Sequence, residues 1–257
     1  MKITWLGQSG YLIEHSSQRF VIDPYMSDIL ADKQGLRRLI PPPCSIASLS
    51  PDFLLITHDH LDHYDPETVA EIMDTFPACR LIGSESVVAH GQREGVCDGR
   101  LDCLLPGKTI LLGALAITAT PTRHSDNSAI GLLIRSASEL LWFSGDTLYF
   151  PELATHVLQL AEQSPDIAFV CINGKLGNMN HHEAARLVSE VRSHLTIPMH
   201  YGMLRENTAD PEEFRIACSG HGFSSAILEC GNPVEAGRLL NSTELKCNVL
   251  TASWKNS

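Results

Sequence analysis

Apolar residues recur along this chain mainly in short runs, alternating with polar ones or unbroken, as in half-buried and fully buried strands. The pattern predicts strands at KITWLG (2–7), YLIEHS (11–16), RFVIDP (19–24), FLLIT (53–57), RLIG (80–83) and TILLG (109–113). It predicts further strands at LAITAT (115–120), AIGLLIRS (129–136), LLWFSGD (140–146), IAFVCING (167–174), TIPMHY (196–201) and SAILECG (225–231). Helical spacing appears between them. Asp65 can cap a helix with Pro66 at its first position and Val69, Ile72, Met73 and Phe76 on one face. A second helix is predicted from Pro151, with Leu153, Val157, Leu160 and Ala161 inward. A third starts at Asn180, whose spacing to Glu183 suits a capping box, with Ala184, Leu187, Val188, Val191 and Leu195 inward. A fourth follows Asp210-Pro211, and residues 26–50 read as a long excursion.

Composition narrows the classes. With 257 residues, 44% hydrophobic and 19% charged, the chain can bury a substantial core and reads as neither disordered nor fibrous. No apolar run reaches the roughly 20 residues that span a bilayer, so no membrane partner is expected. The opening MKITWLGQSGYLIEHS lacks the features of a signal peptide, and a cytoplasmic location is the expectation. A net charge of −11 disfavours nucleic acid as a partner. Eight scattered cysteines without a C-x-x-C pair suggest reduced, mostly buried thiols.

The chemistry concentrates behind one strand. In LLITHDHLDHYDPE, three histidines and three aspartates fall within residues 58–65, directly after an apolar run. Imidazole and carboxylate are ligands of borderline and hard divalent cations. His58 and His60, two apart on an extended loop, project to one side and can share an ion. Asp62 and His63, past the turn into the helix, can reach a second. Other strand ends deliver His124, Asp146 and His200, and loops held by a rigid sheet are where chemistry is commonly placed.

The H-x-H-x-D-H motif, then His124 in TPTRHSDN, Asp146 in FSGDT and His200 in PMHYG, in that order, resembles the metallo-β-lactamase superfamily over the whole chain. The resemblance implies an α/β fold, a four-layer αββα sandwich, with residues 1–257 as a single domain of two pseudo-symmetric halves joined near 110–120. It also implies that His58, His60 and His124 hold one metal, that Asp62, His63 and His200 hold another, and that Asp146 bridges them. One or two Zn2+ or Mn2+ ions are the expected cofactor, with a hydroxide held between them as the nucleophile and Asp62 and Asp146 as catalytic carboxylates.

Within the superfamily, WLGQSGYLIE, VIDPY, THDHLDH, SGDT, INGKLGNMNHHEA and IPMHYGM resemble the L-ascorbate-6-phosphate lactonase group, although this chain is shorter. That resemblance implies hydrolysis of a small anionic or sugar-phosphate lactone and leaves a homo-oligomer open. Expected substrate contacts are Arg123, Asn173, Lys175, Asn178, Asn180 and Tyr201. Glycines, a lysine and a helix N-terminus together can receive an anion. Asp23 and Asp59 are expected to orient ligands from behind. The alternatives are a phosphodiesterase or nuclease of the same fold, and a di-iron oxidoreductase. The latter is disfavoured because such proteins resemble H-x-E-x-D-H, where this chain has His60.

Overall fold

The computed structural model describes residues 1–241. Its first half contains β1 (Lys2–Gly7), β2 (Gly10–His15), β3 (Gln18–Ile22), α1 (Ile29–Gln34), α2 (Ile46–Leu49), β4 (Phe53–Ile56), α3 (Pro66–Thr75), β5 (Arg80–Gly83), α4 (Glu85–Arg93) and β6 (Leu101–Cys103). The second contains β7 (Thr109–Leu112), β8 (Leu115–Pro121), β9 (Ile130–Arg135), β10 (Leu140–Phe143), α5 (Leu153–Ala161), β11 (Ile167–Cys171), α6 (His181–Val191), β12 (Leu195–Met199), α7 (Pro211–Gly220), β13 (Val234–Glu235) and α8 (Ala236–Asn241). One sheet runs β13-β1-β2-β3-β4-β5-β6 and the other β12-β11-β10-β9-β8-β7. Each begins as an antiparallel meander and continues as parallel strands joined through helices. The chain passes between the sheets at residues 104–108, a little before the expected 110–120.

Strand alternation builds the layers. In β2 and β3, Tyr11, Ile13, Phe20 and Ile22 face the core between the sheets, where they meet Ile117, Phe143 and Phe169. The intervening Leu12 and Val21 face outward and pack with Val69, Ile72, Met73 and Val87 of α3 and α4. Helices α5, α6 and α7 supply Leu153, Val157, Leu187, Val188 and Phe214 to the core at the second sheet. The result is the four-layer αββα sandwich. A strand buried on both faces cannot carry polar side chains along its length, so ionisable groups are displaced to strand ends.

Local signals account for the helix starts. Asp65 accepts from the backbone N–H groups of Glu67 and Thr68, and Asn180 and Glu183 form the reciprocal capping box. Helix α6 stops at Val191, where Arg192 turns left-handed, so Leu195 opens β12 instead of closing the helix. SAILECG forms no strand; it makes one bridge, between Thr196 and Ser225, and runs on irregularly. Cys79, Cys171 and Cys218 are buried free thiols, Cys97 and Cys103 are exposed, and Cys247 lies outside the described residues. Among the described residues no helix is long and apolar enough to cross a membrane.

Candidate metal centre

Four strand ends of the two sheets meet along one edge. Strand β4 leads to His58, β8 to His124, β10 to Asp146 and β12 to His200. Their donor atoms join those of His60, Asp62 and His63 in three overlapping groups: His58–His60–His124, His58–His63–Asp146 and Asp62–His63–His200, each within 4.8 Å. His60 Nδ1 lies 3.0 Å from His58 Nε2 and 3.1 Å from His124 Nε2. His200 Nε2 lies 3.0 Å from Asp146 Oδ2 and 3.2 Å from Asp62 Oδ2, and His63 Nε2 is 3.4 Å from Asp146 Oδ2. All seven residues singled out from the sequence as ligands therefore converge.

The residues behind them set the orientation. Asp23 Oδ1 accepts from the Thr57 backbone N–H at 2.8 Å, and Oδ2 accepts from Thr57 Oγ1 at 2.7 Å and His63 Nδ1 at 2.8 Å. The Thr57 proton being committed to Asp23, Thr57 Oγ1 can accept from His58 Nδ1 at 3.0 Å. One buried carboxylate thus anchors Nδ1 of two imidazole rings, directly or through Thr57, and leaves Nε2 of each directed inward. Gly177 O does the same for His124, accepting from Nδ1 at 3.1 Å. Asn178 donates to Asp146 Oδ2 at 2.7 Å.

Gln8, quoted within WLGQSGYLIE but given no role there, is the main participant that sequence reasoning missed. Its Nε2 donates to Asp62 Oδ2 at 3.0 Å, and its backbone carbonyl accepts from the backbone N–H of His200 at 3.0 Å and from Trp5 Nε1 at 3.1 Å. Gln8, Asp23 and His200 all have positive φ, at 50°, 41° and 66°. Non-glycine residues enter that region at a cost, and such backbone gathers where a site needs it. Asp126 was missed too: its Oδ2 accepts from the Asp59 N–H at 3.1 Å, tying the His58–His60 loop to that of His124.

The electrostatics divide the cluster in the metal-free protein. Burial, reinforced by His63, holds His58 well below the ordinary histidine pKa, and burial beside His124 lowers His60. For His200 burial works the other way from its partners, but Asp146 and Asp62 prevail and push it up to about 9. His63 is raised in spite of burial, by Asp146, Asp62 and Asp23. Asp146 and Asp62 are held below the carboxylate range, burial being outweighed by His200 and His63. Burial thus favours the neutral ring at His58 and His60, and the neighbouring carboxylates favour the charged ring at His63 and His200.

His63 Nε2 and Asp146 Oδ1 are buried and have no hydrogen-bond partner among the described residues. Buried polar atoms are rarely left so, and both belong to the converging donor set. Nitrogen and carboxylate donors alone, with buried backing partners, match what a divalent ion of the zinc or manganese type requires.

A cavity of about 470 Å³ opens over the cluster. Its outer wall includes Gln34, Leu36, Leu61, Ser125, Leu176 and Asn207. The excursion 26–50 forms part of this wall through α1 and is pinned by backbone bonds from Leu39 to Met203 and from Arg205 to Arg37. Several expected substrate contacts lie elsewhere. The Arg123 guanidinium rests over the Phe150 ring, 4.7 Å from its centroid. Lys175 Nζ donates to Glu206 O at 3.1 Å. Tyr201 is buried and stacked on Trp5 at 4.9 Å. Asn173 braces Lys175 O and Asn207, and Asn180 caps α6. Asp59 reaches the cavity, but its carboxylate pairs with His90 and Arg93 and not with a cluster residue.

The chain is similar to known proteins in sequence and fold. The Beta-lactamase superfamily domain matches residues 18–201. A UPF0173 metal-dependent hydrolase of Caldivirga maquilingensis is 30% identical over 216 residues, covering 83% of this chain and 87% of the relative. Another, from Methanosarcina mazei, is 29% identical over 241 residues, covering 89% and 95%. Among solved structures, Igni18, a metallo hydrolase from Ignicoccus hospitalis, superposes with a TM-score of 0.72 at 23% identity, covering 91% of this chain and 97% of that one. That likeness speaks to the fold.

Proposed function

The chain belongs to the beta-lactamase superfamily and, with the UPF0173 proteins among its relatives, is a metal-dependent hydrolase; we propose that the bond it cleaves is the ester of a small lactone. The observation that carries hydrolysis is the convergence of seven ligand-type side chains with two unpartnered buried donors, His63 Nε2 and Asp146 Oδ1, at its centre. The lactone reading is supported by the similarity of WLGQSGYLIE, THDHLDH and INGKLGNMNHHEA to the ascorbate-phosphate lactonase group.

In this reading His58, His60 and His124 would hold one Zn2+ or Mn2+, and Asp62, His63 and His200 would hold a second, with Asp146 beside both sets. Such ions polarise a carbonyl and bring the pKa of water from 15.7 towards about 7. The protein's part is positional. Asp23, Thr57 and Gly177 O keep imidazole lone pairs inward, and Gln8 holds Asp62 at the cavity floor. Water adds to the acyl carbon, the acyl C–O bond breaks, and the ring oxygen leaves as an alcohol with a proton from that water, while Asp62, kept ionised beside Gln8 and His200, would serve as a ligand at the cavity wall. The product is then a hydroxy acid.

Purified protein loaded with zinc or manganese, assayed on lactones, phosphodiesters and thioesters, tests this. Lactone opening is expected. Activity confined to phosphodiesters would reject it.

A further inference from the structure

We infer that the substrate carries an uncharged, apolar substituent, seated on Leu36, Leu61 and Leu176, and no phosphate; this rests on reading the cluster as the reaction centre. Three leucines border the cavity above the ligand groups. Leu36 and Leu61 back onto a small apolar cluster of Tyr25, Ile29, Leu30, Met203 and Leu204, so each has one packed face and one open to the cavity.

Leu176 differs from both. It is 68% exposed and sits at φ 53°, where a leucine is out of place. A surface turn gains nothing in stability from a leucine there, since asparagine or glycine would suit the backbone better. Yet the turn is held on both sides of it. Lys175 O accepts from the Asn178 N–H at 3.1 Å and from Asn173 Nδ2 at 3.2 Å, and Gly177 O accepts from His124. An apolar side chain is thereby fixed over the cavity, tied through one residue to a candidate ligand. Strain and exposure at one position both make sense if a substrate covers it.

The polar content of the wall agrees. Among the described residues no lysine or arginine lines the cavity. Of the cations close in sequence to the wall, Lys175 is engaged with Glu206 O, Arg37 with Glu206, and Arg38 with Asp28, Tyr25 O and Ser27 O, while Lys33 and Arg205 are exposed and outside the lining. A phosphate remote from the metals would meet only neutral donors such as Asn207, with Asp59 on the same wall. Anion recognition normally recruits guanidinium or ammonium groups.

Straight-chain hydroxamic acids, anchored at the metals and projecting a tail, probe the wall without requiring turnover. With zinc-loaded full-length protein, calorimetric Kd should fall about fourfold per added methylene over the first few. A chain of equal length ending in carboxylate should bind at least about tenfold more weakly than its alkyl match. Leu176→Asn, a residue at home at positive φ, should fold and flatten the length dependence. A Kd indifferent to length, tighter binding of the carboxylate-ended chain, or no binding by any member would overturn the inference. Lactone turnover measured on the same sample separates the two readings. Its absence with the length dependence intact would reject the lactonase reading alone.

Discussion

Asp23 Oδ2 lies 2.8 Å from His63 Nδ1, and the other nitrogen of that ring, Nε2, is buried with no hydrogen-bond partner and 3.4 Å from Asp146. Asp23 stands 40 positions upstream, at the end of β3, which pairs in parallel with β4. Sheet register therefore carries the carboxylate to the back of the ligand loop. Removing it as Asp23→Ala would free the His63 ring and leave buried Thr57 donors without an acceptor. Metal affinity should fall about 10–100-fold, read by competition with a chromophoric chelator. Asp23→Asn should be milder if it keeps the Thr57 bonds. Undiminished affinity in Asp23→Ala would refute the orienting role.

His200 and His63 hold protons in the metal-free protein that a metal must displace. His200 is raised from the ordinary histidine value of 6.5 to about 9 by Asp146 and Asp62, and His63 is raised in the same sense. Their charged forms stabilise the metal-free fold fully below pH 6.5, and that contribution is lost as pH rises through about 9. Two outcomes follow. The metal-free protein should lose thermal stability from neutral to alkaline pH more steeply than the loaded one. Metal uptake at pH 7 should release protons, about two if both rings are charged, measured by calorimetry in buffers of differing ionisation enthalpy. Uptake without proton release would show the rings already neutral.

The ligand set could be read from the sequence because burial on both faces of β4, β10 and β12 forces ionisable side chains to the ends, where His58, Asp146 and His200 stand out against apolar runs, and the half-buried β8 likewise delivers His124 past its end. Asp23 was legible for the same reason. Gln8 and Asn207 were not: a neutral amide has no distinctive spacing, and its role depends on contacts with residues far along the chain, such as Asp62 and Asn173. Lys175 and Arg123 were assigned to substrate by charge alone, but long side chains reach the nearest acceptor or ring, here Glu206 O and Phe150. Short edge strands escaped too. With three residues in β6 and two in β13, they hold no period to detect. SAILECG had the period but made a single bridge, because apolar alternation reports burial and not pairing.

Gly177 has a φ of 91°, and a Cβ there would come within 3.0 Å of His124 Nδ1. Gly177→Ala therefore combines backbone strain with pressure on a ring whose Nδ1 bonds the same residue's carbonyl. The His58–His60–His124 group should weaken while Asp62–His63–His200, which takes no residue from the loops of His124 and Gly177, is spared. In a titration the tighter of two binding events, or the weaker, should shift alone by about tenfold. Equal loss at both would mean that Asp146 couples them, and no loss would mean that the turn yields.

Lys175→Met and Arg123→Ala distinguish a site that binds an anion from one that does not. Lys175 Nζ is satisfied by Glu206 O, and the Arg123 guanidinium lies on Phe150, so neither faces the cavity wall. Each change removes an exposed charge or a cation–π contact at the surface, for which effects of about 0.5–1 kcal/mol on stability are usual. The KM for whichever lactone is turned over should move by less than about twofold, since a uniform binding interaction is lost only if it existed. A tenfold rise in KM for Lys175→Met with kcat unchanged would instead place the ammonium on the substrate, and would restore the anionic group that the sequence alone suggested.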